Sequence, residues 1–247
     1  MDALHPHTHS LVRKMESIVT LSDEERAALQ RLPLQMQDMR ADQDIVREGD
    51  RVTRSCLLIE GSICRNSLTE KGKRQIFSFH IPGEIPDLQS LHIRTMDHSL
   101  ATVTPCKIGF IEHEPLQHLC ESNPRLAHAF WRETLIDGAI FRKWMINIGR
   151  KQANSRIAHF LCEMVARLRA VGLVEDNQCQ WPLTQGEIAD SLGLSNVHVN
   201  RTLQEELRAK GLITLTKNKL TVKDWDGLVA LAEFDPIYLH HVPREVA

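Results

Sequence analysis

One continuous stretch, residues 183–222, constrains the fold more than any other part of the chain: LTQGEIADSLGLSNVHVNRTLQEELRAKGLITLTKNKLTV. Thr184 followed three residues later by Glu187 is a capping pattern that begins a helix, and Gly193 ends it where a left-handed residue is needed. Ser195 caps a second helix, which Gly211 ends. The runs LITLT and LTV around KNK predict a hairpin. Two short helices followed by a hairpin predict a winged helix-turn-helix.

The outward face of the second helix predicts contacts with double-stranded DNA, because in this motif its first residues meet base edges in the major groove. Arginine can pair with guanine and asparagine with adenine, and valine offers a methyl contact to thymine. A helical hairpin that packs on a protein partner is the alternative, but this face lacks the aromatic anchors of such interfaces. The predicted base contacts are Ser195, Asn196, Val197, His198, Asn200 and Arg201, and the predicted phosphate contacts are Thr184, Gln185, Lys217 and Lys219.

The distribution of charge is consistent with a polyanionic partner. Residues 150–223 carry 11 Lys and Arg against 7 Asp and Glu, whereas residues 1–149 carry 18 against 20 and residues 224–247 carry 1 against 5. Positive charge is therefore concentrated in the segment that contains the predicted helix-turn-helix.

The first half of the chain has a different texture. Ser22 and Glu25 in LSDEERAALQRL form a capping box, which predicts a helix. Short apolar runs then alternate with turn signals between about residues 34 and 112, and Gly49, Gly61, Gly72 and Gly83 recur every 11 or 12 residues. Short strands with a glycine at each turn predict a small antiparallel barrel or sandwich.

Residues 114–150 predict a short helix, a break at Asn123-Pro124 and a long helix. An imperfect heptad pattern along the long helix predicts a dimer seam. A helix packed only within its own chain is the alternative, but large aromatics on the seam would then be exposed to water. The predicted seam is Phe130, Thr134, Asp137, Phe141, Trp144 and Ile148.

Other classes of protein have little support. No apolar run approaches the ~20 residues that span a bilayer, and the N-terminus lacks a signal peptide's apolar centre, so we expect a cytoplasmic protein that contacts no membrane. The six cysteines lack C-x-x-C spacing, which predicts reduced and mostly buried thiols; a redox-sensing thiol stays open. No nucleophile–base motif, phosphate-binding loop or metal spacing indicates an enzyme. The histidines of HPHTH, His5, His7 and His9, suit a metal, but a mobile solvated tail is the preferred interpretation.

The chain resembles the bacterial transcription regulators of the cyclic AMP receptor protein/FNR (CRP/FNR) family through RQIFSFHIPGE, IEHEPLQHLCESNPRL, SRIAHFL and above all LTQGEIADSLGLSNVHVNRTLQEELRAKGLI. The resemblance implies an α+β fold with an eight-stranded antiparallel β-roll, a long dimerisation helix and a winged helix-turn-helix. It also implies a homodimer on DNA, and contact with RNA polymerase if the protein is an activator. The expected parts are residues 1–32 (tail and helix), 33–113 (β-roll), 114–150 (short and long helices), 151–235 (DNA-binding domain) and 236–247 (tail).

The β-roll departs from the pattern of family members that bind cyclic AMP, in which a glutamate holds the ribose and an arginine neutralises the phosphate. The matching positions here are Leu88 and His98, with Asp87 and Ser99 beside them. Leucine accepts no hydrogen bond and histidine has no guanidinium fork, so we expect no tight binding of cyclic AMP.

Other cofactors of the family are not expected either. The first cysteine, Cys56, already lies inside the roll, so the N-terminal cysteine cluster of FNR-type members is absent. His80, His92, His98 and His113 suit a heme ligand by residue type only. The roll binds nothing, or it binds another small molecule between the roll and the long helix, near Arg142. A sensor that acts through a protein partner, with vestigial DNA binding, is the second hypothesis.

Overall fold

The structure is a computed structural model that describes residues 6–216 and 218–242. These residues form two compact units. The first contains residues 6–67, 78–138 and 240–242, and the second contains residues 68–77, 139–216 and 218–239. Each unit has its own hydrophobic core, and each is described in turn.

Two antiparallel sheets form most of the first unit, although their residues 68 and 74–77 belong to the second. One has the strand order β1-β7-β3 and the other the order β2-β6-β4-β5. The register places Cys56 of β3 and Gln35 of β1 on either side of Phe110 in β7. The strands are β1 (Gln35–Met39), β2 (Asp44–Val46), β3 (Arg54–Glu60), β4 (Ile63–Leu68), β5 (Arg74–His80), β6 (Ser99–Thr102) and β7 (Cys106–Glu112).

The described residues of this region form seven strands, not the eight that the resemblance implies. Between β5 and β6 the chain forms a 3₁₀ turn (Leu88–Leu91), and Arg51 pairs with Thr95 only as an isolated bridge. The two sheets enclose a core of alternate strand residues and their neighbours: Val46, Cys56, Leu58, Ile63, Met96, Leu100, Cys106, Ile108 and Phe110. The predicted antiparallel roll is confirmed, with an irregular segment after β5.

The regularly spaced glycines lie at turns, as the sequence predicts. Gly49, Gly61, Gly72 and Gly83 have φ angles of +89°, +96°, +72° and +98°. An L-residue with a side chain seldom adopts these values, so glycine at each position lets the chain reverse between strands.

Helices cover the first unit. After a 3₁₀ turn (Pro6–Thr8) come α1 (His9–Glu16), α2 (Asp23–Gln30), α3 (His113–Ser122) and α4 (Pro124–Arg150), whose residues up to Gly138 belong to this unit. The capping box of α2 is present, with Ser22 and Glu25 each bonded to the other's backbone N–H. The prediction of a mobile tail at HPHTH is wrong for residues 6–9, because they form the 3₁₀ turn and the start of α1, which buries Leu11 and Met15 to 1% exposure. His5 lies outside the described residues.

The second unit is mainly helical. The end of α4 leads to α5 (Ala153–Ala170), β8 (Gln178–Gln180), α6 (Gln185–Leu192) and α7 (Asn196–Arg201). A π-helical segment (Thr202–Arg208), β9 (Ile213–Leu215), β10 (Lys219–Val222), α8 (Trp225–Ala232) and a 3₁₀ turn (Pro236–Leu239) follow. The sheet order is β8-β10-β9. Side chains that are fully buried here include Ile157, Phe160, Leu161, Trp181, Ile188 and Leu192.

The cysteines are free thiols, and five of the six are buried, as predicted; Cys120 on α3 is partly exposed. Burial raises the pKa of Cys162 to about 12 and that of Cys179 to about 11. Among the helices that the structure describes, none is long and apolar enough to cross a bilayer.

Candidate nucleic-acid interface

The inner faces of α6 and α7 hold the two helices on the core of the second unit. Ile188 and Leu192 of α6 are both 0% exposed. Val199 of α7 and Leu203 and Leu207 of the π-helical segment are 0–1% exposed. At about 25 cal/mol per Å² of buried apolar area, each such side chain contributes about 1.5–3 kcal/mol. These side chains form the buried faces of the two helices, and the opposite faces are turned outward.

Local hydrogen bonds fix where each helix begins. Thr184 Oγ1 accepts the Glu187 N–H at 3.2 Å, and Glu187 Oε2 accepts the Thr184 N–H at 2.6 Å. Gly193 has φ +64° and ends α6 in the left-handed conformation. Ser195 Oγ accepts the His198 N–H at 3.2 Å, which caps α7. All of these features are predicted from the sequence.

The first turn of α7 is presented to solvent. Val197 is 80% exposed, which is the largest exposure among the large hydrophobic side chains of the described residues. Asn196, Asn200 and Arg201 are exposed as well, and His198 is half-buried. The side chains of this turn are therefore accessible to a partner molecule.

Gln185 and Asn200 connect the two helices on the outer side. Asn200 Nδ2 donates to Gln185 Oε1 at 3.1 Å. The sequence predicts only a phosphate contact for Gln185. Its hydrogen bond to Asn200, a predicted base-contacting residue, is not predicted from the sequence. The Thr184 hydroxyl donates to Glu187 Oε2 at 2.8 Å in addition to its capping bond, so this side chain is already engaged within α6.

The helix after Arg201 differs from the expected regular α-helix. Residues Thr202–Arg208 follow π-helical hydrogen bonding, and the chain then turns at Gly211, with φ +72°. π-Helical segments are rare and occur frequently at functional sites. Periodicity alone does not reveal it, because the buried positions Leu203 and Leu207 keep their spacing.

The wing contains three strands, not two. The predicted strands β9 and β10 are present, and β8 pairs with β10 with Cys179 opposite Leu220. Lys219, at the start of β10, is exposed. The predicted phosphate contact Lys217 lies outside the described residues.

Comparison with known proteins agrees with this geometry. Residues 36–123 match the model of the cyclic nucleotide-binding domain, and residues 155–231 match that of the Crp-like helix-turn-helix domain. The transcriptional activator protein FnrA of Stutzerimonas stutzeri is 30% identical over 217 residues, which cover 81% of this chain and 87% of FnrA. The chain belongs to the CRP/FNR family.

Other members of the CRP/FNR family are similar over comparable lengths. The fumarate and nitrate reduction regulatory protein of Salmonella typhi is 25% identical, over 86% of this chain and 84% of that protein. FixK2 from Bradyrhizobium japonicum has the same fold, with a TM-score of 0.73 at 23% identity over 81% of this chain and 98% of that one. The protein is therefore a transcriptional regulator with a helix-turn-helix DNA-binding domain.

In this CRP/FNR protein, the positions that match the cyclic nucleotide cassette are engaged with the protein itself. Asp87 is 1% exposed, and its Oδ1 accepts the Cys56 N–H at 2.8 Å. Burial raises the pKa of Asp87 to about 6. Leu88 is buried, and His98 Nδ1 lies 2.6 Å from Asp97 Oδ1. Asp87, Leu88 and His98 are thus each buried or hydrogen-bonded within the protein.

The remaining predicted pocket residues are placed differently. Ser99 Oγ accepts the Glu48 N–H at 3.0 Å. Arg142 lies in the second unit, where its side chain is exposed. Arg142 and the four cassette positions therefore belong to different units.

Two of the heme candidates make ordinary structural hydrogen bonds. His80 Nδ1 lies 2.9 Å from Glu84 Oε2, and His113 Nε2 lies 3.0 Å from Ser90 Oγ. Burial lowers the pKa of both rings, that of His80 to about 4. No group of three or more His, Cys, Asp or Glu side chains that could hold a metal ion is found in the part of the chain that the structure describes.

The predicted dimer seam is only partly exposed. Thr134 is exposed, whereas Asp137, Phe141 and Ile148 are half-buried. The expectation that the aromatic side chains of the seam are exposed to water without a partner is wrong for Phe130 and Trp144. They are 5% and 3% exposed within their own chain. The exposed apolar residues of α4 are Trp131, Leu135, Met145 and Ile146, at 64%, 59%, 75% and 51%.

Trp144 belongs to a buried polar cluster that the sequence does not predict. Trp144 Nε1 donates to Glu163 Oε1 at 3.0 Å, and the Tyr238 hydroxyl donates to Glu163 Oε2 at 2.6 Å. Arg167 Nη1 lies 3.6 Å from Glu163 Oε1. Glu163 is fully buried, so this cluster ties α5 to the end of α4 and to the 3₁₀ turn after α8. Buried carboxylates need such partners.

Proposed function

We propose that the protein is a homodimeric transcription regulator that reads a two-fold symmetric DNA site with helix α7. The observation that carries this proposal is the first turn of α7. Its apolar back is fully buried and its start is capped by Ser195, while Val197 and Arg201 extend into solvent. A recognition helix needs this combination of a rigid support and an outward polar tip.

The chemistry of the exposed side chains suggests how bases are read. Arg201 suits a guanine, because its guanidinium can donate to both O6 and N7. Asn200 and Asn196 suit adenine, and Val197 suits the methyl group of thymine. Lys219 on the wing, together with Thr184 and Gln185 at the start of α6, suits the phosphate backbone.

Dimerisation through α4 is supported by its exposed apolar stripe. Trp131, Leu135 and Met145 are separated by four and ten residues, which at about 100° per residue keeps them within about 80° around the helix axis. Gly138 and Arg142 lie inside the same stripe. We therefore propose a seam one residue along from the one that the sequence predicts, with Phe130 and Trp144 in the core behind it.

Two features of regulation follow from the family. The relative FnrA is named a transcriptional activator. If this protein also activates transcription, the DNA-bound dimer contacts RNA polymerase.

We also propose that cyclic AMP does not control the protein, because Leu88 offers no acceptor for the ribose and His98 has no guanidinium fork for the phosphate. Calorimetric titration with cyclic AMP is expected to give no binding, and micromolar affinity would contradict this part of the proposal.

Selection of bound duplexes from random DNA tests the main proposal. We expect an inverted repeat whose half-sites are about one helical turn, or 34 Å, apart, because a two-fold dimer places two recognition helices in successive major grooves. Light scattering should give the mass of a dimer, and Leu135→Asp should shift that mass towards the monomer. A monomeric wild-type protein without preference among duplexes would refute the proposal.

A further inference from the structure

Helix α1 is docked on the first unit by a side chain that is seldom found inside a protein. Lys14 is only 5% exposed, and its neighbours Leu11 and Met15 are 1% exposed. Lysine is almost never buried unless its charge is paired. DNA reading by the second unit does not explain this burial, so the partners of Lys14 indicate what α1 does.

The Lys14 ammonium bridges two carboxylates that come from different elements. Its Nζ lies 2.9 Å from Glu133 Oε1 on α4 and 3.5 Å from Glu84 Oε1 in the turn after β5. Glu84 Oε2 in turn lies 2.9 Å from His80 Nδ1. A chain of polar contacts therefore runs from β5, through the turn and α1, to the long helix.

The packing of α1 against this turn is as close as two backbones allow. Gly83 has φ +98°, and a Cβ atom built on it would lie 2.3 Å from Ser10 O and 2.8 Å from Lys14 Cβ. Any other residue at position 83 would push α1 away. The turn and α1 are thus shaped to fit each other, independently of the ion pairs.

A second buried ion pair joins the same turn to the same helix. Arg65 of β4 is 6% exposed, and its Nη1 donates to Asp137 Oδ2 at 2.5 Å. Its Nε donates to Pro86 O at 2.9 Å. Glu133 and Asp137 are four residues apart, so they lie on one face of α4. Two cations, Lys14 and Arg65, therefore fasten this face to the turn that contains Glu84 and Pro86.

We infer that α1 is a built-in substitute for a bound effector, and that Lys14 is its key group. The turn is followed directly by Asp87 and Leu88, where the family resemblance places the ligand cassette. The α4 helix carries the proposed dimer seam. By holding these two elements together, α1 keeps the first unit in its DNA-binding arrangement without a small molecule, and displacement of α1 switches it off.

This inference rests on the proposed function, because it concerns regulation of the same DNA site. A regulatory role of α1 and a purely structural role predict different effects when Lys14 is removed. Without the ammonium, Glu84 and Glu133 would lose the one cation that contacts both of their buried carboxyl groups. The face of α4 that contains Glu133 would then separate from the turn.

Hydrogen exchange and DNA binding of full-length variants test the inference. For Lys14→Ala we expect amides of residues 124–138 to exchange at least tenfold faster without DNA, and affinity for the selected DNA site to fall at least tenfold. The slope of log K against log salt should stay unchanged, because Lys14 contacts no phosphate. Lys14→Arg should restore most of both losses.

The matched control is Lys107→Ala, which removes a half-buried lysine that pairs with Glu60 in the same unit. It should behave as wild type in both assays. If Lys14→Ala does not fold, Glu133→Gln keeps the side chain's volume and removes its charge, and should change both readouts in the same direction by at least threefold. Unchanged α4 exchange in the folded variants would overturn the inference.

The two proposals fail in different ways. A wild-type protein that binds no DNA refutes the proposed function, whereas the exchange of residues 124–138 still decides whether α1 holds α4. Faster α4 exchange with unaltered DNA affinity would also overturn the inference, because α1 would then be a structural support and not a substitute for an effector.

Discussion

Acidification is expected to destabilise the second unit through one buried histidine. His159 on α5 is 3% exposed, and its Nε2 and Nδ1 lie 3.2 Å from the Tyr238 hydroxyl and from Lys151 Nζ. Burial, and then the positive charges of Lys151 and Lys143, lower the pKa of His159 to about 4 from the usual 6.5. The folded state therefore resists a proton that the unfolded state accepts.

The sign and size of the effect follow from proton linkage. The contribution of His159 is complete above pH 6.5 and is lost as the pH falls towards 4, because the unfolded chain is protonated first. Between pH 7 and pH 4.5 the two pKa values give a loss of about 2–3 kcal/mol in the free energy of unfolding.

The first unit contains a compensating group. Burial lowers the pKa of His80 to about 4, which again costs stability in acid. Burial raises the pKa of Asp87 to about 6 from 3.8, so the folded state binds this proton more readily and gains about 2 kcal/mol between pH 7 and pH 4.5. The contributions of His80 and Asp87 nearly cancel. Because His159 belongs to the second unit, we expect that unit to unfold at a lower urea concentration at pH 4.5 than at pH 7.

Tryptophan fluorescence during urea unfolding is the assay. Three of the four tryptophans, Trp144, Trp181 and Trp225, belong to the second unit. The midpoint should fall between pH 7 and pH 4.5 in wild type, and it should fall less in His159→Gln, which lacks the titrating ring. Equal pH dependence in wild type and His159→Gln would refute the assignment of this effect to His159.

Three further changes test the DNA-binding surface. Arg201→Ala should cost about 1–3 kcal/mol at one base pair only, measured on sites with single substitutions; uniform loss would assign Arg201 to a phosphate. Lys219→Ala should weaken binding to all sequences and reduce the salt slope by about one, and an unaltered slope would exclude it from the interface. Ser195→Ala removes the acceptor of the His198 N–H and should lower the free energy of unfolding in urea by about 0.5–2 kcal/mol. Ser195→Asp should retain the wild-type stability, because aspartate also caps helices. Equal losses of stability in the two variants would mean that the cap contributes nothing.

Local signals explain what the sequence predicts correctly. Thr184 with Glu187, Gly193 and Ser195 act within one or two helical turns, so their geometry needs no knowledge of the rest of the chain. The same holds for the glycine turns of the β-roll. Strand β8 has no comparable signal, because its three residues are Gln, Cys and Gln and its partner β10 is about 40 residues away.

The long helix shows where pattern reasoning fails. Helix α4 is apolar on several faces, and periodicity cannot decide which stripe packs inside its own chain. Trp144 is covered because Glu163, on another helix, accepts its indole N–H. Trp131, one residue away from the predicted seam, is left exposed.

Buried charged side chains are a second feature that the sequence does not predict. Lys14 and Arg65 look like ordinary surface residues in the sequence, since both residue types are mostly exposed in proteins. Glu133, which pairs with Lys14, is 119 residues away along the chain, and Asp137, which pairs with Arg65, is 72 residues away. Only the folded chain reveals such pairs.

The burial of the cysteines gives the molecule one natural attachment point for a spectroscopic probe. A maleimide dye or nitroxide should modify Cys120 first, because the other five thiols are shielded, and slowly, because burial raises the pKa of Cys120 as well. No engineered cysteine-free background is then required. A spin label there, on the helix that precedes α4, would turn the association of two copies into a measurable distance between two labels.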